Sequence, residues 1–125
     1  MKKILVTEDD PGLQDIYQLI LEKAGYEVMM YSNGNDILLN KFETPDLFLL
    51  DKQLSGADGL AICRFLKGQA RTKQIPVIII SATVGIHKLV MEAGADAFIE
   101  KPFEKKYLLN TIIENLKIAE ASDSI

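Results

Sequence analysis

Four places in the chain carry groups that could do chemistry together: the acidic run Glu8-Asp9-Asp10, then Asp51, Ser81 and Lys101. Glu8, Asp9 and Asp51, brought close to one another, repel unless positive charge lies between them. A hard divalent cation answers that need. Mg²⁺ prefers octahedral oxygen ligation from a few carboxylates and several waters, and it leaves positions for phosphoryl oxygens. Phosphoryl transfer requires a nucleophile, such a cation, and further positive or hydrogen-bonding groups for the remaining charge. Asp51, the metal, Lys101 and the Ser81 hydroxyl fill those roles.

Each residue also has a plainer reading. Acidic residues favour helix N-termini, so Glu8, Asp9 and Asp10 could simply cap a helix; for Asp10 that reading is preferred. Asp51 could be a strand-end turn residue before a Ser/Gly loop, and Lys101 a solvated surface lysine. The joint occurrence favours the metal and phosphoryl reading for Glu8, Asp9, Asp51 and Lys101.

These residues need elements to position them. Ile4-Leu5-Val6 reads as a first strand, and Leu13, Ile16, Tyr17, Ile20, Leu21 and Ala24 have the spacing of an amphipathic helix, with Pro11 near its start and Gly25 at its end. Tyr26 to Met30 reads as a second strand. Asn33-Gly34 precedes a short helix over Ile37 to Leu39, which Pro45 is expected to break. Leu47 to Leu50 is a third strand ending on Asp51, and Ile62, Cys63 and Leu66 mark a third helix. Val77 to Ile80 forms a fourth strand ending on Ser81, a brief helix covers Lys88 to Met91, and Ala97 to Ile99 is a fifth strand. Leu109, Ile112, Ile113 and Leu116 stripe a last helix, followed by a small, polar tail.

Strands that are apolar throughout need cover on both faces, as in a parallel sheet between helix layers. The expected fold is therefore α/β, a doubly wound, five-stranded parallel sheet in the flavodoxin-like order 2-1-3-4-5, in three layers. Ligands bind such sheets at the carboxyl ends of the strands, where strand order reverses. Glu8, Asp9, Asp51, Ser81 and Lys101 all fall at such ends. One domain over residues 1–125 is expected, with its core in 2–118 and a polar tail in 119–125.

With 125 residues, 48% hydrophobic and 26% charged, the chain has an ordinary globular composition and room for one core. Its apolar runs are far below the ~20 residues of a membrane span. The acidic run after Val6 interrupts any signal-peptide segment, so a cytoplasmic location is expected. A single cysteine, Cys63, and a single histidine, His87, argue against disulfides, cysteine-rich zinc sites and histidine metal clusters. A net charge of −4 argues against direct binding to nucleic acid or anionic membrane and favours protein partners.

The ordered set Lys2-Lys3-Ile4-Leu5, Glu8-Asp9-Asp10-Pro11, Leu49-Leu50-Asp51, Gly56 with Asp58-Gly59, Ser81-Ala82, Ala93-Gly94-Ala95-Asp96 and Lys101-Pro102-Phe103 resembles a CheY-like response-regulator receiver domain over about residues 2–116. The resemblance implies a two-component phosphorelay switch, in which Asp51 takes phosphate from a kinase phosphohistidine or a small donor such as acetyl phosphate. It implies Mg²⁺ on Glu8, Asp9, Asp51 and the backbone carbonyl of Gln53, with Lys101 on the phosphoryl oxygens and a Lys101-Pro102 peptide that tolerates the cis form. Ser81 and Phe98 are then the switch pair, although Phe98 taken alone reads equally as a core aromatic. Partners implied are a sensor histidine kinase or phosphotransfer protein and a downstream protein target, with homodimerisation on phosphorylation left open.

Departures from the family pattern limit some expectations. Ser81 replaces the usual threonine, Ser55 a common proline, and Phe98 a frequent tyrosine, while the segment from Thr83 to Met91 is short. Competing functions are a phosphate-independent interaction module, a Mg²⁺-dependent aspartyl phosphohydrolase, and a flavin or nucleotide carrier. The hydrolase lacks a second acid at Gln53, and the carrier would place phosphate on acidic residues rather than a glycine-rich cradle. The expected chain is thus a phosphoacceptor acting on itself, not an enzyme acting on outside substrates.

Overall fold

The computed structural model describes residues 1–52 and 58–123. Five parallel strands, β1 (Lys3–Thr7), β2 (Glu27–Tyr31), β3 (Leu47–Asp51), β4 (Val77–Ser81) and β5 (Ala97–Glu100), lie in the order β2-β1-β3-β4-β5. Helices α1 (Pro11–Lys23), α2 (Asn35–Leu38), α3 (Gly59–Lys67), α4 (His87–Glu92) and α5 (Lys105–Asp123) alternate with them. The fold is the expected doubly wound sheet.

Alternation along each strand builds two cores from the same run of apolar residues. Leu5, Phe48, Leu50 and Ile79 face α2, α3 and α4, packing with Ile37, Ile62, Leu66 and Val90. Their strand neighbours Ile4, Val6, Leu49, Ile78 and Ile80 face α1 and α5, packing with Tyr17, Leu21, Leu108 and Ile112. Burying each such Leu or Ile contributes roughly 2 kcal/mol. β3 and β4 are buried from end to end, which is why their sequences show no polar alternation.

Several boundaries differ from the sequence reading. β2 lies one residue later, at Glu27–Tyr31. α2 stops at Leu38, well before Pro45, because Asn40 adopts a left-handed φ of 59° and turns the chain there. In α1 the inner face is Tyr17 and Leu21, whereas Ile16 is 50% exposed. In α5 the buried stripe is Leu108, Ile112 and Leu116 at strict four-residue spacing, and Ile113 is 41% exposed. The expected polar tail is helical through Asp123, since Ala119, Glu120 and Ala121 are strong helix formers and Glu120 pairs with Lys2 at 3.0 Å. No helix among the described residues is long and apolar enough to cross a membrane.

Candidate functional site

Strand register sets the site. Thr7 lies opposite Leu50, Asp51 opposite Ile80, and Ser81 opposite Glu100, so the C-terminal ends of β1, β3, β4 and β5 form one edge. The Lys52 amide donates to the Ile80 carbonyl and the Lys101 amide to the Ser81 carbonyl, both at 2.9 Å, extending the ladder past the strands. The Asp51 amide donates to Thr7 Oγ1 at 3.2 Å. Thr7 was not singled out from sequence; a hydroxyl ending an apolar strand is the signal that would have found it.

Gly59 brings the start of α3 against the strand carrying Asp51. A Cβ there would lie 2.5 Å from the Asp51 carbonyl oxygen and 2.8 Å from Lys52 Cα, so only glycine fits this approach. Its amide donates to the Lys52 carbonyl at 2.8 Å. Asp58 caps α3 by accepting from the Leu60 amide at 2.8 Å.

The acidic run divides by role. Asp10 is the N-cap of α1, accepting from the Leu13 amide at 2.8 Å, as preferred from sequence. Asp9 is exposed, and Glu8 is buried to 2% exposure. One Glu8 oxygen, Oε2, accepts from the Asp10 amide at 3.1 Å, and the Glu8 carbonyl accepts from Gln14 Nε2 at 2.5 Å. Glu8 Oε1 is buried without a hydrogen-bond partner among the described residues.

Lys101 faces both buried acids of the site. Lys101 Nζ lies 2.5 Å from Asp51 Oδ2 and 4.0 Å from Glu8 Oε1, one ammonium between two buried acids. Burial, followed by the neighbouring Asp51 carboxyl with which a protonated Glu8 can hydrogen-bond, pushes the Glu8 carboxyl up to about 7; the Asp10 amide and Lys101 oppose this. Among the described residues no three His, Cys, Asp or Glu side chains form a ready-made metal cluster. The Gln53 carbonyl lies outside the described residues.

Ser81 is buried, and its Oγ accepts from the Thr83 amide at 3.0 Å. Phe98 packs against the core from β5, with its ring edge-on to His87 at 6.0 Å. The Lys101-Pro102 peptide is cis. Cys63 is buried in the core and its thiol is pushed up to about 11, chiefly by burial, which makes it an unreactive packing residue.

The profile of the response regulator receiver domain matches residues 4–113. The chain belongs to that family. As a receiver domain of two-component systems it is similar to the DNA-binding dual master transcriptional regulator RpaA of Synechocystis sp., at 34% identity over 113 residues. That match covers 87% of this chain and 46% of RpaA, so the chain spans about half the length of that curated relative. The signal receiver domain of a signal transduction histidine kinase from Syntrophus aciditrophicus is 32% identical with a TM-score of 0.86, covering 94% of this chain and 91% of that one. The receiver domain of a sensor histidine kinase from Pseudomonas aeruginosa, with a magnesium ion coordinated in its active site cleft, shares the fold at 24% identity and a TM-score of 0.84, over 93% of this chain and 98% of that one.

Proposed function

We propose that this receiver domain is a phosphoacceptor switch in which Asp51 accepts a phosphoryl group. The reading rests on the pairing of Asp51 with Lys101 at 2.5 Å beside a buried Glu8 oxygen that has no hydrogen-bond partner among the described residues. An Asp51 oxygen attacks the donor phosphorus; the new O–P bond replaces the donor's N–P or O–P bond, and the displaced imidazole or acetate takes the leaving electron pair. Lys101 then turns from the carboxylate to the phosphoryl oxygens it helps to neutralise. The Ser81 hydroxyl, at the neighbouring strand end, donates to the same group.

The donor set among the described residues suits Mg²⁺: the buried Glu8 with one oxygen lacking a hydrogen bond, Asp51, and the exposed Asp9 next in sequence. Glu8, Asp9, Asp51 and Gln53 would hold the ion, which supplies positive charge against the phosphoryl oxygens. The phosphodonor is a histidine kinase or phosphotransfer protein, and the output is a protein target reading the face of Ser81, Phe98 and the six-residue α4. Movement of Ser81 toward the phosphoryl group makes room for Phe98 to rotate, biasing two pre-existing states. The domain acts on itself alone, gaining and losing its phosphoryl group.

Intact-mass analysis after incubation with Mg²⁺ and acetyl phosphate tests this. One added phosphoryl group, absent in Asp51→Asn, is expected; an unlabelled wild type would favour an interaction module that does not use phosphate.

A further inference from the structure

Two deeply buried side-chain polar atoms among the described residues have no hydrogen-bond partner: Glu8 Oε1 and the Tyr17 hydroxyl. The acid cluster accounts for the first. Tyr17 has no such account, because a phenylalanine would pack the same ring without leaving a hydroxyl unsatisfied. The residue is 2% exposed, and its ring stacks on Phe103 at 6.2 Å between centroids and 11° between planes.

The geometry relates this residue to Lys101, whose ammonium pairs with Asp51 at 2.5 Å. Helical side chains lean toward the helix N-terminus, and the N-terminal end of α1 carries Asp10 and follows Glu8. Tyr17 lines a cavity of about 430 Å³ together with Ala82, Lys101 and Phe103, the residues next to Ser81 and around the cis peptide. Burial, with the charges of Asp51 and Glu8, makes the phenol harder to ionise, so it remains a neutral O–H. This is a donor awaiting an acceptor, and a phosphoryl group brings three acceptor oxygens.

We propose that the Tyr17 hydroxyl is a further recognition group of the Asp51 site, donating a hydrogen bond to an oxygen of the phosphoryl group held there. The inference rests on the phosphoacceptor reading. Lys101 supplies a point charge to that group; Tyr17 supplies a directional donor whose ring is held in place by Phe103.

The test compares the wild-type chain with Tyr17→Phe, which keeps the ring and its stack. Thermal melting without additives is expected to be unchanged or higher for the variant, because an unsatisfied hydroxyl is removed. Binding of beryllofluoride in the presence of Mg²⁺, followed by thermal shift, is expected to weaken about tenfold, the size of one hydrogen bond. Equal affinity for beryllofluoride in the two proteins, with acetyl phosphate still labelling Asp51, would overturn the inference alone. A variant that melts lower without additives and loses affinity only in proportion would assign Tyr17 a packing role and overturn it too. An unlabelled wild type would overturn the phosphoacceptor reading, and this inference with it.

Discussion

Lys101 serves Asp51 and Glu8 unequally, with its ammonium 2.5 Å from the first and 4.0 Å from the second. Both buried acids thus draw on this ammonium, and removing it takes a positive charge from each. In Lys101→Met, which keeps most of the apolar stem, labelling by acetyl phosphate should slow about 100-fold, as for loss of a charge-stabilising donor. A mass-spectrometric time course measures it.

The Glu8 carboxyl, raised to about 7, gives metal-free protein a pH signature of definite sign. Between about 4.5 and 7 the folded state binds more protons than the unfolded one, so stability falls as pH rises through that window and levels off above it. The loss approaches about 3 kcal/mol for a shift of this size. Glu8→Gln should abolish this component and melt higher than wild type at pH 8 in the presence of EDTA. Thermal melts of both proteins from pH 5 to 8 check the difference; parallel curves would contradict it.

Gly59→Ala places a methyl against the Asp51 carbonyl oxygen and Lys52 Cα, both of them backbone atoms with little freedom to yield. Destabilisation of about 3 kcal/mol is expected, at the upper end for overpacking, with slower labelling because the acceptor strand end shifts. Urea unfolding gives the first quantity and the mass assay the second.

Asp9 and Asp10 adjoin in sequence but should respond differently. Asp10→Ala loses the α1 cap and should cost about 1 kcal/mol in stability while retaining Mg²⁺ binding. Asp9→Asn should weaken Mg²⁺ binding while leaving the Asp10 cap of α1 in place. Thermal-shift titrations with MgCl₂ separate the two.

The sheet was legible because β3 and β4 are unbroken apolar runs ending on a carboxylate and a hydroxyl, which fixes both strand type and chemistry together. Lys101 was expected on the same sheet edge as Asp51 because both stand at the carboxyl ends of strands. Helix faces were less legible. Ile16 and Ile113 carry the same apolar side chains as their buried neighbours, and only the angle at which α1 and α5 lie on the sheet distinguishes them. The length of α5 is not marked by its apolar stripe, because the small and polar residues after Leu116 give no periodic signal although alanine and glutamate favour helix. Thr7, the surroundings of the Tyr17 hydroxyl and the buried half of the acidic run depend on contacts between distant segments, which local pattern does not carry.

The strand order has a consequence for synthesis. Glu8, Asp51, Ser81 and Lys101 sit at or just beyond the ends of β1, β3, β4 and β5, so the last of them joins the others only when the final strand docks. A nascent chain still on the ribosome carries the acceptor aspartate long before it carries the lysine. Under the phosphoacceptor reading, full competence arrives late, and unfinished copies without Lys101 would take phosphate from the donor far more slowly.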